Sequence, residues 1–406
     1  MDKIEELLTR GVDTIYPTKD DLEKVLRSGK KLKLYQGFDP TGTQLHIGHM
    51  VGFRKLRQWQ ELGHEVIFLI GDGTGQAGDP SGKIKARDKF FSRDELRKNA
   101  HDYVKQASKI VDFEGKNAIK ILYNGEWLND LNLPNLLEII GHLSLQQLLE
   151  RDFFQERMKQ NQTISMREFI YPILQGYDSV AMEVDLELGG SDQMFNMLVG
   201  RQLVKDYLNK EKFVMTTPLL VDSEGRKIGK TEGNVIGLTD EPEDLFAKIM
   251  GLGDETIIKG FEYLTDLPTD QIDDIIQELN QGKNPIHYKK KLAYNIVLQL
   301  NDEKKTKKAQ ELFEKRVQRG EKPDDIPTIT ASDAFDSGRG ITDVLLATGL
   351  AGTKSEAKRL TEQGGVELIL TKGTKRMTEP KQQVDFEEGM ILKVGRRKFV
   401  KIILKK

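Results

Sequence analysis

The stretch KLKLYQGFDPTGTQLHIGHMVGFRKLRQWQELGHEVIFLIGD, residues 31–72, decides the fold. Its first nine residues, 31–39, read as a strand. Residues 47–63 read as a helix: Met50, Phe53, Leu56 and Trp59 recur every three positions, and Gly63 suits the C-terminal cap. Residues 65–72 are almost wholly apolar, as a strand buried on both faces of a parallel sheet requires. Strand, helix, strand is a βαβ unit, and it predicts a Rossmann-like, doubly wound α/β domain.

Outward from this unit, the pattern predicts a helix from 94 to 111 and a strand in AIKILYNGEW, 118–127. A mostly helical stretch follows at 130–175, and FVMTTPLLVDSEGRKIGKTEGN, 213–234, is a strand running into a polar, glycine-bearing loop. Residues 242–320 read as helices with charged faces, and the Pro-, Gly- and Asp-rich segment 321–340 reads as a linker. ITDVLLATGLAGTKSEAKRLTEQGGVEL, 341–368, suggests two short helices, after which the chain alternates as strands. The expected division is a Rossmann-like domain with a helical insert at 1–236, an all-helical domain at 237–320, the linker, and a small α+β domain at 341–406.

Composition narrows the function. With 37% hydrophobic residues the 406-residue chain can build cores, and no apolar run approaches the ~20 residues that span a bilayer. The N-terminal MDKIEELLTRGVD has no signal-peptide core, so a cytoplasmic protein is expected. The absence of cysteine excludes disulfides, thiolate nucleophiles and cysteine-bound metals. The net charge of −2 is unevenly spread: residues 341–406 hold 14 Lys and Arg against 8 Asp and Glu, leaving +6 on the tail and −8 on the rest. A basic tail on an acidic body points to nucleic-acid contact.

His46 and His49 are two of only 6 histidines, and three readings compete for them. A zinc site needs three or four ligands, and no Cys and no nearby His pair completes one. They could instead simply cap a helix. The third reading comes from location, at the C-terminal end of the first strand and the start of the first helix. Ligands of doubly wound sheets bind there, and a helix N-terminus attracts phosphate. Gly48 lets a flat ring lie against the helix backbone, and neutral imidazoles can donate to phosphate oxygens. The sequence has neither the dinucleotide nor the P-loop glycine pattern at this place.

His46-Ile47-Gly48-His49 after a first strand resembles the signature of class I aminoacyl-tRNA synthetases. Lys227-Ile228-Gly229-Lys230-Thr231, with its first lysine 178 residues beyond His49, resembles that family's second signature. The segments YQGFDPTGTQLHIGH, GDGTGQAGDPSGK, YPILQGYDS and GGSDQMFNMLVGR are together similar to the bacterial-type tyrosyl-tRNA synthetase family, with order and spacing kept from about 31 to 240. The resemblance implies a tyrosine pocket built on Tyr35 and Asp178 against the phenol, with Asp79, Tyr171 and Gln175 about the ammonium and Gln193 near the carboxyl. It implies ATP contacts at Gly37, Asp39, His46, Gly48, His49, Gly190, Asp192, Lys227 and Lys230. His46, His49, Lys227, Lys230 and Thr231 are its expected catalytic residues, with Mg²⁺ on the phosphates and no metal bound by the protein itself. Met194-Phe195 and Gln36 depart from the commonest family residues and suggest a second bacterial subgroup. The tail resembles an S4-type RNA-binding module, implying that Lys354, Lys358 and Arg359 contact tRNA phosphates. The family is homodimeric, and the insert near 130–165 is apolar enough for such an interface. Two rivals stand beside this reading: a tryptophanyl enzyme of the same fold, and an RNA-binding protein on an inactive synthetase scaffold.

Overall fold

The structure, a computed structural model, describes residues 2–81, 90–221, 228, 235–315, 326–331, 340–370, 373–395 and 398–404. Lys227, Lys230 and Thr231 of the second signature therefore lie outside the described residues. The chain forms two compact units, Met1–Thr306 and Lys307–Lys406.

The first unit is built on six strands: β1 (Thr14–Tyr16), β2 (Lys33–Phe38), β3 (Glu65–Ile70), β4 (Lys120–Tyr123), β5 (Leu186–Gly190) and β6 (Phe213–Thr217). Their order is β1-β6-β5-β2-β3-β4. All neighbours run parallel except β1, which pairs antiparallel with β6. From β2 the chain winds one way through β3 and β4, then returns to build β5 and β6 on the other side. The strand order thus reverses between β2 and β5, the point where a doubly wound sheet opens a ligand crevice. There Leu34 pairs with Leu186 and Tyr35 with Glu187.

The deciding stretch folds as its pattern requires. The helix Ile47–Glu61 buries Met50, Phe53, Leu56 and Trp59 completely, and Gly63 takes the left-handed conformation, φ +75°, that ends it. β3 is buried over five of its six residues. The helix Met166–Ala181 starts at a reciprocal cap between Ser165 and Glu168 and packs on the helix Met194–Leu208. Helices at Pro242–Met250, Thr256–Leu264, Thr269–Asn280 and Pro285–Leu300 fill the helical segment.

Two segments differ from the sequence reading. The strand expected over 118–127 stops at Tyr123, and Gly125–Leu128 is a short helix. Asn124 and Gly125 break the strand because Asn competes for backbone hydrogen bonds and Gly has no side chain to pack on the sheet. Within the expected linker, Thr328–Thr330 forms a strand, β7. Its Thr-Ile-Thr run gives it the β-branched character a strand edge accepts, and it pairs parallel with the strand Lys398–Ile403.

Among its described residues the second unit holds a five-stranded sheet and the helices Ile341–Ala347 and Lys354–Glu362, after the end of the helix Glu303–Phe313. Strands β8 (Val366–Leu370), β9 (Gly373–Met377), β10 (Ile391–Val394) and β11 (Lys398–Ile403) are antiparallel, in the order β7-β11-β10-β8-β9. Val344, Leu345, Leu368, Leu392 and Ile402 form its core. Among the described residues no helix is long and apolar enough to cross a membrane.

Candidate active site

A cavity of about 300 Å³ opens where the strand order reverses, at the C-terminal ends of the parallel strands. β2 and the turn after it contribute Tyr35, Gly37 and Asp39; β5 and its continuation contribute Gly190, Asp192 and Gln193. The helix Met166–Ala181 contributes Tyr171, Gln175 and Asp178, which share one face because they are spaced by three or four residues. His46, Gly48, His49 and Asp79 complete the set. Every described residue expected at the tyrosine and ATP sites thus lines one cavity.

At the deep end, Asp178 is buried and accepts from Asn124 Nδ2 at 2.9 Å and Trp127 Nε1 at 2.8 Å. Burial raises its pKa well above the ordinary carboxylate range, with the charges of Glu187 and Asp39 adding to the effect and the two donors opposing it. A carboxylate has about four acceptor sites. Two are taken here by the protein. Beside it the Tyr35 hydroxyl, also buried, lies 3.0 Å from Ser179 Oγ. Burial and then the neighbouring Glu187 raise the Tyr35 pKa, so this phenol stays protonated.

Further out lies a polar cluster. Gln193 Nε2 donates to Asp79 Oδ2 at 3.0 Å, and Asn196 Nδ2 donates to Gln193 Oε1 at 3.0 Å and to Gln175 Oε1 at 2.9 Å. The Tyr171 hydroxyl donates to Asp39 Oδ2 at 3.0 Å, and Thr74 Oγ1 donates to Asp39 Oδ1 at 2.7 Å. Asp39 therefore ties the tyrosine-side residue Tyr171 to the strand end.

The signature histidines cap the helix and also line the cavity. His46 Nδ1 accepts from Gly48 N at 3.2 Å, and His49 Nδ1 accepts from His46 N at 3.2 Å. With Nδ1 an acceptor on both rings, each neutral imidazole carries its proton on Nε2, the tautomer that donates. The capping and nucleotide-site readings are thus compatible, because one nitrogen serves each. Gly48 is needed at this turn: a Cβ there would stand 3.0 Å from the His46 ring and 3.4 Å from Ile228 O. Ile228, within the second signature, lines the same cavity, and Ile236–Leu238 pairs its backbone with Leu45–Ile47.

Several residues of this site carry no sequence signal of their own. Asn124 and Trp127 follow β4 and hold Asp178, yet YNGEW reads only as the end of a strand. Asn196 directly follows Met194-Phe195, where the segment GGSDQMFNMLVGR departs from the commonest family residues. Ser179, Glu187 and Lys212 form a buried polar group behind Tyr35. In the second unit, Lys354, Lys358 and Arg359 are exposed on one helix; Lys354 pairs with Asp343 at 3.1 Å and Lys358 lies 3.8 Å from Glu362.

The family model described as tRNA synthetases class I (W and Y) matches residues 27–318. The tyrosine–tRNA ligase of Dehalococcoides mccartyi is 39% identical, covering 99% of this chain and 98% of its own. That of Haemophilus influenzae is 40% identical, covering 98% and 96%. Among solved structures, the C-terminally truncated mitochondrial tyrosyl-tRNA synthetases of Coccidioides posadasii and Aspergillus nidulans superpose with TM-scores of 0.62 and 0.63 at 25% identity. They cover 77% and 76% of this chain, and 91% and 92% of their own. A fold that winds about this cavity, a family model over most of the chain and relatives alike from end to end agree: the chain belongs to the tyrosyl-tRNA synthetases, class I aminoacyl-tRNA synthetases.

Proposed function

We infer that the protein is a cytoplasmic tyrosine–tRNA ligase, which activates L-tyrosine with ATP and transfers the tyrosyl group to the 3′ end of tRNA(Tyr). The observation that carries this reading is that one cavity joins the Asp178 and Tyr35 pair to the His46 and His49 pair. A phenol fits the first pair: Asp178 has acceptor sites left for its proton, and Tyr35 can donate to its oxygen. A tryptophan indole offers an N–H to Asp178 but no acceptor to Tyr35, which favours tyrosine over tryptophan as substrate.

In the first step the tyrosine carboxylate attacks the α-phosphate of ATP, and pyrophosphate leaves. In the second, a terminal ribose hydroxyl of tRNA attacks the activated carbonyl, and AMP leaves. No protein nucleophile is required. Asp79, Tyr171, Gln175 and Gln193 orient the ammonium and carboxyl groups, placing the carboxylate for in-line attack. His46 and His49, which line the cavity with Nδ1 used in the helix cap, donate to phosphate oxygens as charge gathers on them. Gly37, Asp39, Gly48, Gly190 and Asp192 form the ATP side. Lys227, Lys230 and Thr231 act on the departing pyrophosphate. Mg²⁺ accompanies ATP and neutralises phosphate charge. Its ligands in this reading are the ATP phosphates.

The segment 237–320 serves as the anticodon-binding domain and 341–406 as an S4-like RNA-binding domain, with Lys354, Lys358 and Arg359 on tRNA phosphates. The active form is a homodimer. Leu133, Leu137 and Leu145 in the helical insert are 66%, 55% and 58% exposed, a cluster of apolar side chains that a second copy would cover. Charging of tRNA(Tyr) with labelled tyrosine in the presence of ATP tests the function. Binding of tRNA without charging would favour the RNA-binding scaffold instead.

A further inference from the structure

At the wall of the cavity, which Glu187 helps to line, lies a buried ion pair for which the two reaction steps have no use. Glu187 stands on β5, next to Tyr35 of β2 in register, and Lys212 immediately precedes β6. Their exposures are 1% and 0%. The Lys212 ammonium donates to Glu187 Oε2, to Ser179 Oγ at 2.7 Å and to Met197 O at 3.3 Å, which uses all three of its protons. Space for it is made by Gly200 on the Met194–Leu208 helix. A Cβ at that position would meet Lys212 Nζ at 2.6 Å and Ser179 Oγ at 2.9 Å. Burying such a pair costs desolvation that two packed apolar side chains would avoid, so stability alone is a poor reason for it.

Two hydrogen-bond paths leave the pair. One runs through Ser179 Oγ to the Tyr35 hydroxyl at 3.0 Å. The other leaves from Glu187 Oε1, which accepts from Gln175 Nε2 at 3.0 Å. It continues from Gln175 Oε1 through Asn196 and Gln193 to Asp79. The first path ends at the phenol side of the cavity and the second at the ammonium side.

We propose that the buried Lys212–Glu187 pair is the positioning element for both ends of the tyrosine pocket, an assignment that rests on the tyrosine reading of this cavity. The ammonium has no acceptor, so Ser179 Oγ accepts from it. Ser179 Oγ is within donating reach of Glu187 Oε2 at 3.3 Å and of the Tyr35 oxygen at 3.0 Å. With Glu187 Oε2 filled by the ammonium, the Ser179 proton is assigned to the shorter contact, Tyr35. The Tyr35 proton is then left to point at the substrate phenol oxygen. At the other end, an ionised carboxylate can only accept, so Gln175 must turn its Nε2 towards Glu187 and its Oε1 towards Asn196. The pair thereby sets the proton direction at Tyr35 and the amide orientation at Gln175 without touching the substrate.

The test uses the full-length enzyme and tyrosine- or phenylalanine-dependent ATP–pyrophosphate exchange. Ser179→Ala keeps both charges and the second path, cuts the first path, and takes one acceptor from the Lys212 ammonium. It lowers the tyrosine-to-phenylalanine ratio about threefold, less than a full buried hydrogen bond is worth. In a Tyr35→Phe background the same substitution adds nothing, because it acts through Tyr35. The paired change Lys212→Met with Glu187→Met strands no charge. It raises the KM for tyrosine about tenfold, the scale of one lost buried polar contact, while the KM for ATP stays within about twofold. The proposal is overturned if Ser179→Ala leaves the ratio unchanged, or if its effect persists undiminished without the Tyr35 hydroxyl. It is equally overturned if the double variant lowers thermal stability but keeps the KM for tyrosine. Should the double variant fail to fold, the Ser179→Ala cycle decides. A wild-type enzyme with no tyrosine-dependent exchange would instead sink the tyrosine reading itself.

Discussion

Tyr35→Phe is the sharpest single perturbation of the pocket. Tyr35 is completely buried, and its hydroxyl reaches Ser179 Oγ at 3.0 Å. Removing the oxygen leaves Ser179 accepting from Lys212 at 2.7 Å and within donating reach of Glu187 Oε2 at 3.3 Å, so no buried group is stranded. The folding cost should therefore fall in the lower half of the ~0.5–1.5 kcal/mol typical of a neutral hydrogen bond. In the tyrosine complex the phenol oxygen loses one donor but keeps Asp178 as acceptor for its proton. A loss of about 1 kcal/mol corresponds to about a fivefold drop in the preference for tyrosine over phenylalanine. Asp178→Asn should do more damage to both quantities. Both carboxylate oxygens accept, from Asn124 and Trp127, so the new amide must present a donor to one of those donors. The assay is ATP–pyrophosphate exchange with each amino acid, read as the ratio of kcat/KM values, beside a thermal melt. If Tyr35→Phe lowers the melting temperature and leaves the ratio intact, Tyr35 is a core residue and the phenol is read elsewhere.

Four further outcomes follow. Lys227→Ala or Lys230→Ala should slow tyrosyl-adenylate formation by ~2–4 kcal/mol of transition-state stabilisation while tyrosine binding is unchanged; equal losses in rate and binding would make these lysines plain ATP ligands. A chain ending at Phe313 should keep tyrosine-dependent exchange and lose most tRNA charging, and normal charging by it would refute the RNA-binding role of the tail. Changing Leu133 and Leu137 to Lys should convert a dimer to monomer in sedimentation analysis, whereas an unchanged mass would remove this face from the interface. Burial lowers the Lys55 pKa from 10.5 to about 7, and its ammonium donates to Leu7 O at 2.8 Å and Arg10 O at 2.6 Å. Between those pH values the unfolded chain binds more protons at this group than the folded one, so its contribution to stability rises with pH across the window. Lys55→Met should flatten that rise in denaturant titrations at pH 7 to 10, and an unaltered slope would show that Lys55 is not its source.

The parts of the fold legible in the sequence are those that bury one kind of surface continuously. β3 is apolar because both faces are covered, and the helix Ile47–Glu61 shows its period because one face meets the sheet. β1 was missed because three residues, Thr14–Tyr16, are too few to show alternation. β7 hid within a Pro- and Asp-rich segment, its strand character confined to Thr328–Thr330.

In the site, residues within contiguous motifs were found together, because backbone turns fix them locally. His46, Gly48 and His49 share one helix start, and Tyr171, Gln175 and Asp178 share one helix face. Asn124, Trp127, Glu187 and Lys212 carry no such signal, because they meet Asp178 and Tyr35 only in three dimensions; Ser179 closes the segment YPILQGYDS, but its role comes from the buried lysine it meets. Lys212 lies in NKEKF, which reads as solvated charge, and nothing in that run tells a buried lysine from an exposed one. Its partner is 25 residues away on a neighbouring strand, a pairing that sheet register sets and local composition does not record.

The central claim is that this cavity selects tyrosine and joins it to ATP. It is tested most directly by ATP–pyrophosphate exchange measured separately with each of the common amino acids, without tRNA. Rapid exchange with L-tyrosine is expected, with exchange by phenylalanine and tryptophan lower by orders of magnitude. Exchange supported by tryptophan in preference to tyrosine, or by no amino acid at all, would contradict it.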